Sequence, residues 1–273
     1  VLAIARHLNA FCDTISVLSF LGSNNEQKKF IEENIEENIQ LNFLTKHNSP
    51  TIIKRRFLDK VDSKKVLGVY SINDDPLTQK DETNFIEKIN KLVSEHDLII
   101  VSDYGHGIIT LKVAEHISKM DKFVSLNAQV NAANIGMHSI GKYSDIDCLI
   151  INASELRHEL RQRDGELVTL AANLKEMITT KSITVTQGRA GAFLLNDSKM
   201  PINCPGFAVD IVDKIGAGDA LLALLSVCLY NSIEEDLALF IASLAAAQSV
   251  ESIGNSKPVS KVELLKTISH SLK

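Results

Sequence analysis

Apolar residues recur at helical spacing where the chain opens, at Val1, Leu2, Ile4, Ala5, Leu8 and Phe11, which predicts an amphipathic helix over 1–11. An apolar run over 15–21, closed by Gly22, predicts a short strand. Within the acidic stretch 26–39, Phe30, Ile31, Ile35 and Ile39 return at helical intervals and predict a helix. The texture then changes. Residues 51–58 and 65–72 are two runs of β-formers joined by the polar stretch 59–64, read as a hairpin that forms a small subsheet. From residue 81 the pattern alternates: helix 81–94, strand 98–101, helix 111–120, strands 123–126 and 148–151, helix 166–178, then strands 182–186, 192–195 and 200–204. Short apolar strands between helices specify an α/β domain whose largely parallel sheet is covered on both faces, and in such sheets ligands sit at the carboxyl ends of the strands. Helices are predicted over 216–230, 233–249 and 260–272; the first is apolar on nearly all sides over 221–229, the pattern of a buried central helix.

The 273 residues are 45% hydrophobic and 23% charged, an ordinary packed composition that excludes a disordered or fibrous chain. The net charge of −5 supplies no basic footprint for a phosphate backbone, so nucleic-acid binding is not expected. The longest apolar stretch, 220–230, is well short of the ~20 residues that span a bilayer, so no membrane partner is expected either. Cys12, Cys148, Cys204 and Cys228 are far apart and lack a C-x-x-C pair; they read as core thiols, with a cytoplasmic location as the consequence. The chain opens on Val1 inside a helix, with neither Met nor a preceding strand, and a missing N-terminal piece is expected.

The densest chemistry lies in DKIGAGDA, 213–220, where Gly216, Ala217 and Gly218 form a turn directly ahead of the apolar helix and Asp219 falls in its first turn. Small residues let backbone N–H groups approach an anion there, and the helix dipole adds about half a positive charge. Asp219 then has two readings. It is either a general base beside a bound phosphate, or an acid that only satisfies free N–H groups at a helix start. Asp213 on the same loop could orient the water shell of a magnesium ion. In INASE, Asn152 and Glu155 follow strand 148–151 and either serve magnesium-bound waters and phosphate or pair as a helix cap. VTQGRAGA puts Thr186, Gly188 and Gly191 in a tight loop open to a nucleotide, with a plain turn as the alternative. SDYGHG ends another strand with Asp103 and two glycines, again a site or a turn; Tyr104 and His106 within it make an acid–base pair only if packing does not account for them. The phosphate loop G-x-x-x-x-G-K-[ST], H-E-x-x-H, G-x-S-x-G and the protein-kinase catalytic loop are all absent, so bound phosphate needs another scaffold.

Taken in order, SDYGHG, INASE, VTQGRAGA and DKIGAGDA resemble the consecutive motifs of the PfkB/ribokinase family of carbohydrate kinases, over most of the chain. The resemblance implies a ribokinase-like three-layer α/β/α sandwich over 1–273, with a mostly parallel central sheet and a small β lid over roughly 41–72. TIIKRRF, 51–57, resembles the lid strand of heptose-phosphate kinase-like members, some of which are joined to a nucleotidyltransferase. Residues 127–157 are similar to a branch of such kinases with sugar-like substrates. By that resemblance Asp219 is the catalytic base and Gly216, Ala217 and Gly218 are the anion hole. Asn152, Glu155 and Asp213 would serve magnesium and phosphate, with Glu155 and Asp213 nearest the metal. Thr186, Gly188 and Gly191 would line the nucleotide, and Gly254 and Asn255 of GNSKPVS would close its base pocket. Lys54 and Arg56, with Asp103, would face the substrate.

ATP and Mg2+ are the implied cofactors, K+ a further candidate ion, and a sugar or sugar phosphate the implied substrate. The sequence departs from the family pattern at Lys214, where Thr or Ser is usual, and at His106, where Lys is more frequent. The first strand and Gly-Gly substrate motif expected ahead of a helix like 1–11 are absent. A nucleotide- or sugar-binding module without turnover, and a sister kinase for a nucleoside or vitamin, stand as alternatives. Exposed lid edges would favour a homodimer.

Overall fold

The computed structural model describes residues 1–60, 65–129, 139–198 and 200–271. Its centre is a six-stranded sheet of β5 (Leu98–Asp103), β6 (Phe123–Ala128), β7 (Cys148–Asn152), β8 (Ser182–Thr186), β9 (Ala192–Leu195) and β10 (Ile202–Cys204), adjacent in that order. β5 to β8 run parallel, and β9 and β10 are antiparallel additions at one edge. β1 (Ile15–Gly22) and β2 (Ile39–Lys46) form a separate parallel pair, Ile15 opposite Ile39, and β3 (Ile53–Leu58) pairs antiparallel with β4 (Lys65–Ser71). The hairpin expected over 51–72 is therefore present, while its connection, 61–64, lies outside the described residues.

Alternation along β7 explains the layering. Cys148 and Ile150 face one core, shared with α1 (Leu2–Leu8), α7 (Ala217–Tyr230), α8 (Glu235–Ser249) and α9 (Lys261–Ser271). Leu149 and Ile151 face the other, shared with α3 (Gln79–Val93), α4 (Leu111–Ser118), α5 (Ala153–Glu159) and α6 (Leu167–Ile178). A strand buried on both faces needs apolar side chains at successive positions, as this one has. Helices α3 and α4 start where Thr78 and Thr110 accept the N–H groups of Asp81 and Val113. Three of the cysteines, Cys148, Cys204 and Cys228, are buried free thiols and pack as small apolar groups; burial pushes Cys148 up to about 12 and Cys228 to about 11. Among the described residues no helix is long and apolar enough to cross a membrane.

The stretch 26–39 corrects the sequence reading. Only α2 (Lys28–Glu33) is helical, and Ile39 opens β2 instead of closing a helix. Phe30, on the expected apolar stripe, is 61% exposed and has nothing to bury against, while Ile39 gains a parallel neighbour in Ile15. Strand pairing overrides a weak helical period. Residues 41–46, expected within the lid, consequently pair with β1 and not with the hairpin. Beyond these, Leu272 of the last predicted helix lies outside the described residues.

Helix α7 carries eight buried residues, among them Leu221, Leu222, Leu224 and Leu225, and is the most enclosed element of its core. Leu222→Ala, at 0% exposure, is expected to lower the unfolding free energy by about 2–5 kcal/mol in urea titrations. Leu237→Ala on α8, 39% exposed, should change it by less than about 1 kcal/mol.

Candidate active site

Because β5, β7 and β8 are parallel, Asp103, Asn152 and Thr186 all end strands at the same edge of the sheet. Asn152 and Thr186 are direct register partners. Asn152 accepts the Glu155 N–H at 2.8 Å and Glu155 Oε2 accepts the Asn152 N–H at 3.0 Å, a reciprocal cap on α5. Glu155 is buried and this oxygen faces the backbone, so the cap reading of INASE accounts for its position without a metal. After Thr186 the chain turns through Gly188–Ala190, and Gly191, at φ +97°, closes the turn: its carbonyl accepts from Gln187 and a Cβ there would lie 2.1 Å from the Cys204 carbonyl oxygen.

The N-terminus of α7 meets this edge. Gly216 has φ +104° and a Cβ on it would lie 2.0 Å from the Asn255 side chain, so only glycine lets the 253–255 turn close onto the helix start. Gly218, Gly188 and Gly254 are the reverse case: a Cβ on any of them would meet nothing within 4 Å. Bare backbone there borders open space, and at Gly218 it belongs to the first turn of a 14-residue helix whose dipole favours an anion. Asp219 sits in that first turn and its Oδ2 accepts a hydrogen bond from Asn255 Nδ2 at 3.1 Å. Asp213, expected near magnesium, instead clamps the loop: Oδ1 accepts the Ile215 N–H at 3.0 Å and Oδ2 the Gly254 N–H at 2.9 Å. Asn255, expected to close a base pocket, is turned toward Asp219. Among the described residues no group of three or more His, Cys, Asp and Glu gathers to hold a metal ion.

The third wall is the β5 loop under the hairpin. Asp103, expected to face substrate, is 3% exposed and committed internally, to Tyr143 Oη at 2.7 Å, Lys142 Nζ at 2.6 Å and the Gly105 N–H at 2.9 Å. It holds the turn that presents Tyr104 and His106. Lys54 from β3 lies over the Tyr104 ring at 4.9 Å from its centroid, and the ring stacks at 6.4 Å on His106. Burial pushes the Tyr104 phenol up to about 12, with the charge of Asp219 adding to it and that of Arg56 opposing it. Tyr104 thus lies within the fields of both the hairpin cation and the carboxylate of α7. His106, 5% exposed, pairs through Nδ1 with Asp74 at 2.7 Å; burial and the nearby Lys54 charge lower its pKa. Lys46 staples the Asp74 segment down by donating to the carbonyls of Asn73 and Asp75. Asp74 and Lys46 have no motif to announce them, since their roles come from packing between distant loops.

A groove of about 880 Å³ at the opposite end of the sheet is a weaker candidate. Two of its lysines are already paired, Lys181 with Asp147 at 2.6 Å and Lys175 with Asp197.

The model of the pfkB family of carbohydrate kinases matches residues 1–262. This chain belongs to that family. As a pfkB-family member it is a phosphotransferase of the carbohydrate-kinase class. It is 27% identical over 222 residues to "Bifunctional protein HldE" of Bradyrhizobium diazoefficiens, covering 80% of this chain and 44% of that protein. To HldE of Helicobacter pylori it is 25% identical over 260 residues, covering 92% and 54%. The chain therefore spans about half the length of the curated relatives it matches. These relatives agree with the heptose-phosphate kinase-like motifs. In fold, the pfkB-family chain superposes on phosphofructokinase-2 of Escherichia coli in complex with potassium with TM-score 0.78 at 12% identity, covering 99% of this chain and 86% of that one. Ribokinase of Thermotoga maritima gives 0.72 at 18% identity, covering 98% and 84%. The ribokinase-like α/β fold is thus shown; the segment 130–138, inside the stretch similar to sugar-like kinases, lies outside the described residues.

Two site histidines generate a pH prediction. Burial holds both His7 of α1 and His106 below the ordinary value of 6.5, so between 6.5 and their folded values the unfolded chain binds more protons. Stability is expected to be lost as pH falls through 6.5 toward 5. The carboxylates whose pKa is lowered, Glu26, Glu82 and Asp197, withdraw their contribution only below about 4.5. Urea unfolding at pH 7.5, 6.5, 5.5 and 5.0 reads this, and a flat profile across the window contradicts it.

Proposed function

We propose that this chain transfers a phosphoryl group from ATP to a hydroxyl of a sugar or sugar phosphate, with Asp219 as the general base. The observation that carries the reading is the pairing of Asp219 with the bare Gly216–Gly218 backbone at the N-terminus of a buried helix. Phosphoryl transfer is catalysed mainly by positioning and charge stabilisation, and needs a group that takes the hydroxyl proton and donors aimed at the transferred phosphate. The α7 N-terminus offers both within one turn.

The residues fit a nucleotide. A Cβ on Gly188, Gly218 or Gly254 would meet nothing within 4 Å, so each offers open backbone to a phosphate chain, and Thr186 and Gly191 flank the turn that holds Gly188. A magnesium ion carried by the nucleotide would neutralise phosphate charge, keeping several waters and the phosphates as ligands. The cap uses Asn152 Oδ1 and Glu155 Oε2, and we assign both residues to magnesium-bound waters and phosphate at this strand end. Lys54 and Arg56 supply positive charge from the hairpin, which favours an anionic substrate such as a sugar phosphate. The bifunctional relatives support reading the chain as the kinase part of a longer protein. Exposed apolar residues on the hairpin, including Val66, Leu67 and Val69, support pairing with a second copy.

The test is ADP formation from MgATP against hexoses, heptoses and their phosphates, with and without potassium. One sugar class is expected to stimulate turnover, and Asp219→Asn to reduce kcat by about 10²–10⁴-fold with nucleotide binding retained. Near-normal turnover in Asp219→Asn overturns the role of the base. Ligand-induced thermal stabilisation without ADP formation across the panel replaces the kinase reading with a binding module.

A further inference from the structure

We propose that His7 and Asn255 are positioning residues: a relay, backbone amide to buried imidazole to half-buried carboxamide, that fixes the Asp219 carboxylate in its working orientation. The proposal rests on the kinase reading given above, and it deepens that reading by assigning what holds the base.

The direction of the relay follows from one backbone group. The Val259 N–H lies 3.1 Å from His7 Nδ1, and a backbone amide can only donate, so Nδ1 is unprotonated. A neutral imidazole then carries its proton on Nε2, which stands 3.1 Å from Asn255 Oδ1. With its oxygen accepting from His7, the amide must turn its Nδ2 the other way, toward Asp219 Oδ2 at 3.1 Å. No orientation in this chain is free. A flipped amide would set Nδ2 against the Nε2–H and Oδ1 against a carboxylate. The ring is 1% exposed, and burial, the largest influence on it, lowers its pKa and keeps it neutral; Asp219 and Arg6 are the charges that act on it.

Packing holds both members in place. His7 lies on α1, whose Ile4, Ala5 and Leu8 share the core of α7, so the ring and the base are carried by two helices packed on each other. Asn255 is fixed from the other side: Gly254 donates to Asp213, and Gly216 gives up a side chain at the point where the amide passes. Among the described residues Asp219 Oδ1 accepts no hydrogen bond, so the relay occupies one carboxylate oxygen and leaves the other to a substrate hydroxyl. A neutral amide donor also orients the carboxylate without forming an ion pair with it.

Four variants of the whole chain test this: Asn255→Asp, Asn255→Leu, His7→Phe and His7→Gln. Long-range nitrogen NMR of the imidazole, assigned through its loss in His7→Phe, is expected to find the His7 proton on Nε2; a proton on Nδ1 overturns the relay whether or not the protein turns over. Carboxyl NMR at pH 7.5 is expected to show a displaced Asp219 signal in Asn255→Leu relative to the parent, and an unchanged signal overturns the contact. In turnover, Asn255→Asp should lose about 100-fold in kcat while KM for ATP stays within about threefold. His7→Phe should lose about tenfold, largely recovered in His7→Gln, which keeps a donor toward Asn255. A kcat unchanged in Asn255→Asp, or losses that simply track the thermal midpoint and are not recovered by Gln, would assign both residues to packing and overturn the proposal. Absence of turnover in the parent chain would sink the kinase reading alone, because the two NMR measurements do not depend on it.

Discussion

Everything at this site depends on the burial of α7. A helix with apolar residues on nearly every side has no solvent face to leave outward, so it must lie between the sheet and other helices, here α1 and α8. Enclosure fixes its axis, and with the axis its first turn, at the edge where the parallel strands end. The free N–H groups of that turn cannot be satisfied by the helix itself. An end held rigidly by several leucines, with unsatisfied donors and bare glycine backbone facing open space, is what an electrostatic catalyst for phosphate chemistry requires. Stability and chemistry are therefore carried by the same element, the apolar body for one and the first turn for the other.

The fold was largely legible because the strongest sequence signals are also the strongest physical ones. Apolar strands such as 148–151 and 182–186 and the apolar run after Gly218 have one stable solution, burial, and the structure places them there. The stretch 26–39 misled because its helical period sits in a short acidic segment where Phe30 finds no partner, whereas Ile39 finds Ile15 across a parallel pair. In the site, the motifs marked which loops matter but not which atoms are available. Asp103 and Asp213 look like ligands in one dimension; in three, their oxygens are taken by Tyr143, Lys142 and backbone N–H groups. His7 carried no signal at all. It lies 248 positions from Asn255, and only the packing of α1 on α7 brings the two together.

Asp103 and Asp213 both set loops at the site. Asp103 ties the loop bearing Tyr104 and His106 to Lys142 and Tyr143, and Asp213 ties the 253–255 turn to the approach of α7. Each uses a charged acceptor to set a loop whose backbone otherwise has no regular partner, the stronger kind of hydrogen bond for that purpose. Loops set in this way can present open glycine backbone without collapsing into it.

The arrangement of charge across the cleft follows from what the two sides must do. On the hairpin side stand Lys54 and Arg56, with Tyr104 beneath the ammonium. On the helix side the hydrogen-bond partner of Asp219 is a neutral amide, itself backed by a neutral imidazole. A lysine or arginine in the place of Asn255 would hold Asp219 as an ion pair, whereas the amide holds it by a single hydrogen bond. On the proposed assignment, cations on the hairpin and the carboxylate on α7, with the half-buried Tyr104 ring acted on by both, would let the site attract an anion without an ion pair to Asp219. Burial first, and the Asp219 charge second, push the Tyr104 phenol up, against the opposing charge of Arg56.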